Sequence, residues 1–314
     1  MPLLLTEADV RSVLTMPDLI AAMEPALAAF SSGAVVQPVR TVLDLADRHA
    51  FFGLMPAYVP SLPALGAKLV TVYHSNLERG LPSHLATILL FDPATGDLEA
   101  IVDGRYITEA RTAAVSAVSA KKLARPDAKI LAILGSGVQA RSHFEALNCV
   151  CKFDEIRVWS PTLENSRKFA AETGSIVKAS AEEAARGADV IALVTASSTP
   201  VVHGDWIKPG THVIAVGACR PTEREMDSAL VARARLFVDS RAAALKEAGD
   251  IVIPIQEGRI TADHIVAELG ESTAARQSRE EVTIFKSLGL AVEDVASAHL
   301  AATRARRNSK GASV

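Results

Sequence analysis

Six consecutive residues, Gly135-Ser136-Gly137-Val138-Gln139-Ala140, have the types and spacing to hold a pyrophosphate. A short apolar run precedes them and a segment of helical spacing follows, the setting expected of a G-x-G-x-x-G/A dinucleotide fingerprint. Gly135 allows the tight turn, Gly137 lets phosphate approach the backbone, and Ala140 lets the helix lie close to its strand. The N–H groups and positive end of that helix, at Ser136, Val138 and Gln139, then hold the phosphates. The alternative is a glycine-rich turn of an ordinary α/β protein, which the setting between strand and helix disfavours. In NAD enzymes an acid at the end of the second strand binds the ribose 2′-OH. Here that position falls at 159–162 and holds no acid. Ser160, Thr162 and Asn165 can instead bond a 2′-phosphate, with Arg167 or Lys168 adding charge, so NADP(H) is preferred and NAD(H) remains possible. Thr195 and Ala196 at the carboxyl end of a fourth strand, and Val216 at that of a fifth, stand where an open α/β sheet presents its ligand.

The elements that must position these residues are readable as a change of rhythm. Residues 3–30 suggest one or two helices, with starts at Thr6/Asp9 and at Met16-Pro17-Asp18. Strands are expected at 40–45, 50–54, 66–73, 85–91 and 98–102, the last two joined by a turn at 91–97. A helix covers 107–123. From 129 strands and helices alternate, with strands at 130–134, 156–159, 175–178, 189–195, 212–217 and 235–239 and helices at 163–172 and 181–186. This implies an α/β fold with a doubly wound parallel sheet beside an α+β domain. The last segment, 290–306, reads as an amphipathic helix that completes the first domain. The expected division is therefore 1–124 with 290–314, and 125–289 for the dinucleotide.

The length of 314 residues fits two domains at roughly 100–200 residues each. A net charge of −3 offers no basic footprint for nucleic acid. Arg304, Arg306, Arg307 and Lys310 form a short basic tail, expected to be frayed and solvated. Neither the number nor the spacing of Cys149, Cys151 and Cys219 suggests a disulfide framework or a metal site. The first two are expected to be small buried or half-buried residues. No apolar run reaches the roughly 18 residues that span a bilayer, and the N-terminus lacks a signal-peptide pattern. The expectation is a cytoplasmic protein with no membrane partner.

The sequence resembles the ornithine cyclodeaminase/mu-crystallin family, closest to its mu-crystallin (ketimine reductase) branch. The matching stretches are Gln37-Pro38-Val39-Arg40-Thr41, Met55-Pro56-Ala57-Tyr58, Ala67-Lys68-Leu69-Val70, Pro82-Ser83-His84 and Arg111-Thr112-Ala113-Ala114-Val115-Ser116. They continue with the glycine loop, Ala215-Val216-Gly217-Ala218, Ala243-Ala244-Leu245-Lys246-Glu247, Phe285-Lys286-Ser287-Leu288-Gly289 and Val292-Glu293-Asp294. The resemblance implies a substrate-binding domain that also builds a homodimer, a nicotinamide domain, and chemistry at the C–N bond of amino or cyclic imino acids.

It also implies roles. Arg40 and Arg111 stand where the family holds the substrate carboxylate by charge-assisted bonds, and Arg111 and Thr112 can touch cofactor phosphates where a helix opens or extends. An arginine on a strand or helix is otherwise usually a solvated charge. Lys68, inside an apolar run, becomes the acid/base group; a strand lysine otherwise faces solvent. Partial burial near two arginines would lower its pKa towards the range useful for proton transfer. Glu247 faces the substrate nitrogen or is a helix-surface acid. Ser83 and His84 contact the cofactor or cleft, unless His84 is merely structural, and Ser287 lies near the nicotinamide. Cyclodeaminases carry an aspartate at the position of Cys219. Its absence favours reduction of a preformed cyclic ketimine, Δ1-pyrroline-2-carboxylate or Δ1-piperideine-2-carboxylate, to proline or pipecolate. Ornithine cyclodeaminase, alanine dehydrogenase and a non-catalytic protein binding NADP and a small ligand remain the alternatives.

Overall fold

The computed structural model describes residues 1–313, and the chain forms two units. The first comprises Met1–Arg111 and the chain from Gly289 onward. It begins with β1 (Leu3–Leu5), α1 (Glu7–Val13) and α2 (Met16–Ser31). Thr6 and Asp9 form a reciprocal capping box at the start of α1, and the Thr15 side chain accepts from Asp18 N at the start of α2. An antiparallel meander follows: β2 (Thr41–Leu45), β3 (Ala50–Val59), β4 (Ala64–Tyr73), β5 (His84–Phe91) and β6 (Leu98–Asp103), then α3 (Arg105–Leu123).

The second unit alternates strictly. Its elements are β7 (Ile130–Leu134), α4 (Val138–Val150), β8 (Glu155–Trp159), α5 (Leu163–Thr173), β9 (Ile176–Val177), α6 (Ala181–Ala185) and β10 (Val190–Leu193). They continue with β11 (His212–Ala215), α7 (Ser228–Arg233), β12 (Arg235–Val238), α8 (Arg241–Glu247), α9 (Gly249–Gln256), β13 (Ile265–Glu268) and β14 (Thr283–Lys286). The eight strands run parallel in the order β13-β12-β14-β11-β10-β7-β8-β9. Strand order reverses at β7, whose neighbours are β8 and β10, and such a switch point is where an α/β sheet opens a ligand crevice. β10 and β11 are buried at every position, which explains their unbroken apolar sequence.

The chain then returns to the first unit as α10 (Ala291–Arg307) and β15 (Ala312–Ser313). The seven-stranded sheet reads β15-β1-β6-β5-β4-β3-β2. α10 packs on β3, β4, β5 and α2. Its alanines at 291, 296, 298, 301, 302 and 305 are all buried and keep the helix close to the sheet.

Several expectations are corrected. Residues 3–5 are a strand, because Leu3 to Leu5 pair in parallel with Ala100 to Val102. The two units part within α3, at Arg111/Thr112, rather than after residue 124. The helix's later turns bond inside the second unit, through Ser116 to His143 and Ser119 to His212. α10 is not amphipathic at its start, since every residue from 291 to 298 is buried. The basic tail is not frayed at its start, where α10 runs to Arg307, Arg304 pairs with Asp18 and bonds Val13 O, and Arg306 bonds Glu99 O, while Arg306, Arg307 and Lys310 are solvent-exposed as expected. Cys149 is exposed rather than buried. The sequence reading lacked β13, β14, α7 and α9 and gave α8, the helix of Glu247, no bounds. No single helix among the described residues is long and apolar enough to cross a membrane.

Candidate active site

The ten-residue β4 alternates, and its even positions 64, 66, 68 and 70 are buried beneath α10. Lys68 therefore points inward, and its side chain is 2% exposed. Its cross-strand neighbours are Met55 and Ile88, both buried. Asp294, in the first turn of α10, places Oδ2 2.6 Å from Lys68 Nζ. Burial pulls the Lys68 pKa down to about 8; Asp294 opposes this, while Arg111 and Arg40 reinforce it. The two cations in turn hold the buried Asp294 carboxyl below its ordinary value, against the opposing effect of burial.

Arg111 is pinned on two sides. Its Nε donates to Asp294 Oδ1 at 2.9 Å and its Nη1 to Glu293 Oε2 at 2.7 Å. Its guanidinium lies against Gly289, which has φ +82°, and a Cβ there would come within 2.5 Å of Nη1. Glu293 and Asp294 also complement the positive end of α10. Gln37 Oε1 accepts from Val292 N at 2.7 Å, meeting one of the N–H groups that no turn of the helix satisfies.

Arg40 is half-buried and acts electrostatically on Lys68. His84 lies within electrostatic reach of the same group. Burial, Lys68 and Arg111 lower its pKa to about 4, so the ring is neutral at physiological pH. Ser83 uses its carbonyl to accept from Tyr73 N. Thr112 is buried inside α3, which starts at Arg105, where the Asp103 carboxylate accepts the first N–H. No helix opens at Thr112, so it offers phosphate no helix terminus.

The glycine loop has the geometry its sequence requires. Gly135 sits at φ +121°, and a Cβ there would lie 2.5 Å from Val194 O. Gly137 is the N-cap of α4, has open space where a Cβ would stand, and brings no side chain to the helix start. The first turn holds no acid. Ala140 is fully buried. The thirteen-residue helix thus begins at exposed Gly137 and Val138 with no side chain capping its N–H groups, a fit for a dinucleotide pyrophosphate. Gln139 Oε1 is buried with no hydrogen-bond partner among the described residues. At the end of β8, Ser160 is buried, while Thr162 and Asn165 are exposed at the start of α5. Ser287 follows β14, bonded through its N to Ala215 O and its hydroxyl to Asp239. Glu247 ends α8 and is half-buried.

Beyond the last paired residues of β10 and β11, Thr195 and Gly217 both donate to Glu225, a fully buried loop acid that the sequence reading missed. Two more buried groups escaped it, Lys286 and Asp250, paired at 3.0 Å. Ala196 is exposed beyond Thr195, and Cys219 is exposed with Sγ 3.5 Å from Val216 O.

The family model described as ornithine cyclodeaminase/mu-crystallin matches residues 1–309. The chain belongs to that family. Within the family it is 48% identical over 289 residues to the ketimine reductase mu-crystallin of Mus musculus, covering 90% of each chain. It is 37% identical over 304 residues to a Delta(1)-pyrroline-2-carboxylate reductase of Bacillus cereus, covering 93% of each. Its fold matches that of Thermococcus litoralis Delta(1)-pyrroline-2-carboxylate reductase, solved with NADH and L-proline, at a TM-score of 0.96 and 39% identity. That match covers 99% of this chain and 100% of the other.

Proposed function

We propose that this chain is an NAD(P)H-dependent ketimine reductase that converts Δ1-pyrroline-2-carboxylate or Δ1-piperideine-2-carboxylate to L-proline or L-pipecolate. The observation that carries this reading is Lys68, buried against Asp294 with a pKa near 8. A reduced nicotinamide supplies the hydride for C2 of the imine. Lys68 holds a proton for the imine nitrogen, because hydride adds far more readily to an iminium carbon than to a neutral imine. Asp294 keeps Lys68 charged despite its burial and aims Nζ. Arg40, together with the Arg111 guanidinium, holds the substrate carboxylate. Neutral His84 cannot add a third positive charge beside Lys68 and serves as a hydrogen-bonding wall. Cys219, a thiol where cyclodeaminases have a carboxylate, leaves no acid at that position to act on an amine and water, so the reaction stops at reduction.

Ser160, Thr162 and Asn165, with no acid among them, favour NADPH over NADH. The protein acts as a homodimer built on the first unit, where the edge strand β2 exposes Val42 by 48% and Leu43 by 56%.

The test is oxidation of NADPH and NADH with both imines. Lys68→Ala is expected to keep cofactor binding and lose at least ~100-fold in reduction rate. No turnover with any cyclic imine, while ornithine yields proline and ammonia, would reject the reading in favour of a cyclodeaminase. Tight dinucleotide binding without turnover of either imine would reject it in favour of a binding protein.

A further inference from the structure

Glu225 replaces a rung of the parallel ladder. β10 and β11 are last paired at Leu193 opposite Ala215, and Val216 N still reaches Leu193 O. One residue further on, Thr195 N and Gly217 N have no strand to bond. Glu225 Oε1 accepts from Thr195 N at 2.8 Å and from Thr195 Oγ1 at 2.7 Å, and Oε2 accepts from Gly217 N at 2.7 Å. The carboxylate is itself held from behind. Asp250 Oδ1 accepts from Glu225 N at 2.8 Å and Met226 N at 3.0 Å. Asp250 Oδ2 lies 3.0 Å from Lys286 Nζ, which donates to Ala218 O at 2.5 Å. All three charged side chains are fully buried.

Burying three charges is a poor way to add stability, since apolar side chains of similar size often do as well. No apolar group, however, could accept the three donors at the strand tips. The location also matters. Strand carboxyl ends are where an α/β sheet presents its ligand, and Val194 O lies where a Cβ on Gly135 would collide. Glu225 thereby fixes Thr195 and Ala196 directly beside the phosphate loop.

We propose that Glu225 is a positioning residue of the dinucleotide site, clamping the tips of β10 and β11 at the spacing the cofactor requires, with Asp250 and Lys286 as its support. This rests on the dinucleotide reading of the second unit but not on the identity of the imine.

The test is calorimetric titration of the full-length protein with NADPH and with NADH, at a temperature where circular dichroism shows every variant folded. Glu225→Gln turns one acceptor oxygen into a donor that opposes an N–H. It is expected to raise both dissociation constants by ~10-fold or more. The control is Asp189→Asn, at the other end of the same sheet, where Asp189 accepts from Lys129 N at 2.8 Å and Ile130 N at 2.9 Å. It should lower the melting temperature by a similar amount while changing either constant by less than ~2-fold. Should Glu225→Gln not fold, the paired variant Lys286→Met/Asp250→Asn keeps the acceptor at residue 250 and removes the tie to Ala218. An increase of ~3-fold or more is then expected. Wild-type-like binding by Glu225→Gln, or by the paired variant in its place, overturns the clamp. So does an equal loss of affinity in Asp189→Asn. A wild type that binds neither dinucleotide overturns the clamp together with the dinucleotide reading. Failure of the wild type to reduce either imine touches the substrate reading alone.

Discussion

Replacing Asp294 by Asn removes the one carboxylate shared by Lys68 and Arg111 while keeping its shape. At the 2.6 Å separation from Nζ, Coulomb's law with an effective dielectric of about 20 gives roughly 6 kcal/mol of gross attraction. Breaking a buried pair by removing one partner costs about 3–5 kcal/mol in practice. Lys68 can escape part of that penalty by losing its proton. A fall of about two pKa units corresponds to ~2.7 kcal/mol and would carry Lys68 from about 8 to about 6. At a pH of about 7.5 the protonated fraction would then drop from roughly three-quarters to about 3%, a ~25-fold loss of the competent form. The assay is NADPH oxidation at saturating Δ1-piperideine-2-carboxylate across the pH range, for the variant and the wild type in parallel. The imine's own titration is common to both profiles and cancels in their ratio. Wild-type activity should fall as pH rises through about 8, and in Asp294→Asn that limb should move about two units toward acid. Stability should move the opposite way. A lysine whose folded pKa is depressed binds more protons when unfolded, so its penalty is present at low pH and is relieved as pH rises from the folded to the unfolded pKa. The variant should therefore melt highest where it works least. A slower variant whose alkaline limb stays at the wild-type pH would refute the assignment of that limb to Lys68.

Two further substitutions probe the supports of the two sites. Gly289→Ala forces a Cβ to within 2.5 Å of the Arg111 guanidinium at φ +82°; it should cost about 1–3 kcal/mol in stability and raise KM for the imine more than it lowers kcat, read by steady-state kinetics beside a melting curve. Gly135→Ala sets a Cβ 2.5 Å from Val194 O at φ +121°; it should weaken NADPH binding by ~10-fold or more, measured by titration, and unaltered affinity would contradict the role given to that turn.

What the sequence disclosed depended on whether the signal was local. The capping box at Thr6 and Asp9, the turn at 91–97 and the strand–glycine–helix fingerprint are settled by neighbouring residues, and each is found in the structure. Lys68 announced itself as a charge inside an apolar run. Lys286 carries the same signal, in Thr-Ile-Phe-Lys, but it ends its strand, where a lysine ordinarily reaches solvent, and only the distant Asp250 makes its burial legible. Asp294 lay within a matched stretch, yet acids in a helix's first turn are so ordinary that nothing local marked it as a partner for Lys68, more than two hundred residues away. Glu225 had no pattern at all. It lies in a loop, and its meaning comes entirely from the strand tips that converge on it. Residues 3–5 misled in the opposite sense, since three leucines become a strand only because β6 offers an edge.

The two acids that bind Arg111, one of which also binds Lys68, lie on α10, while both cations lie more than 180 residues earlier in the chain. During synthesis Lys68 emerges long before its counter-ion. Until α10 is made, the helix that covers the Lys68 face of β4 is missing, and that face stays open to water. The order of translation therefore makes α10 the closing step of the first unit, and a released chain ending at Gly289, which keeps the whole second unit but lacks α10, should resist protease in that unit while β3 to β5 are cut.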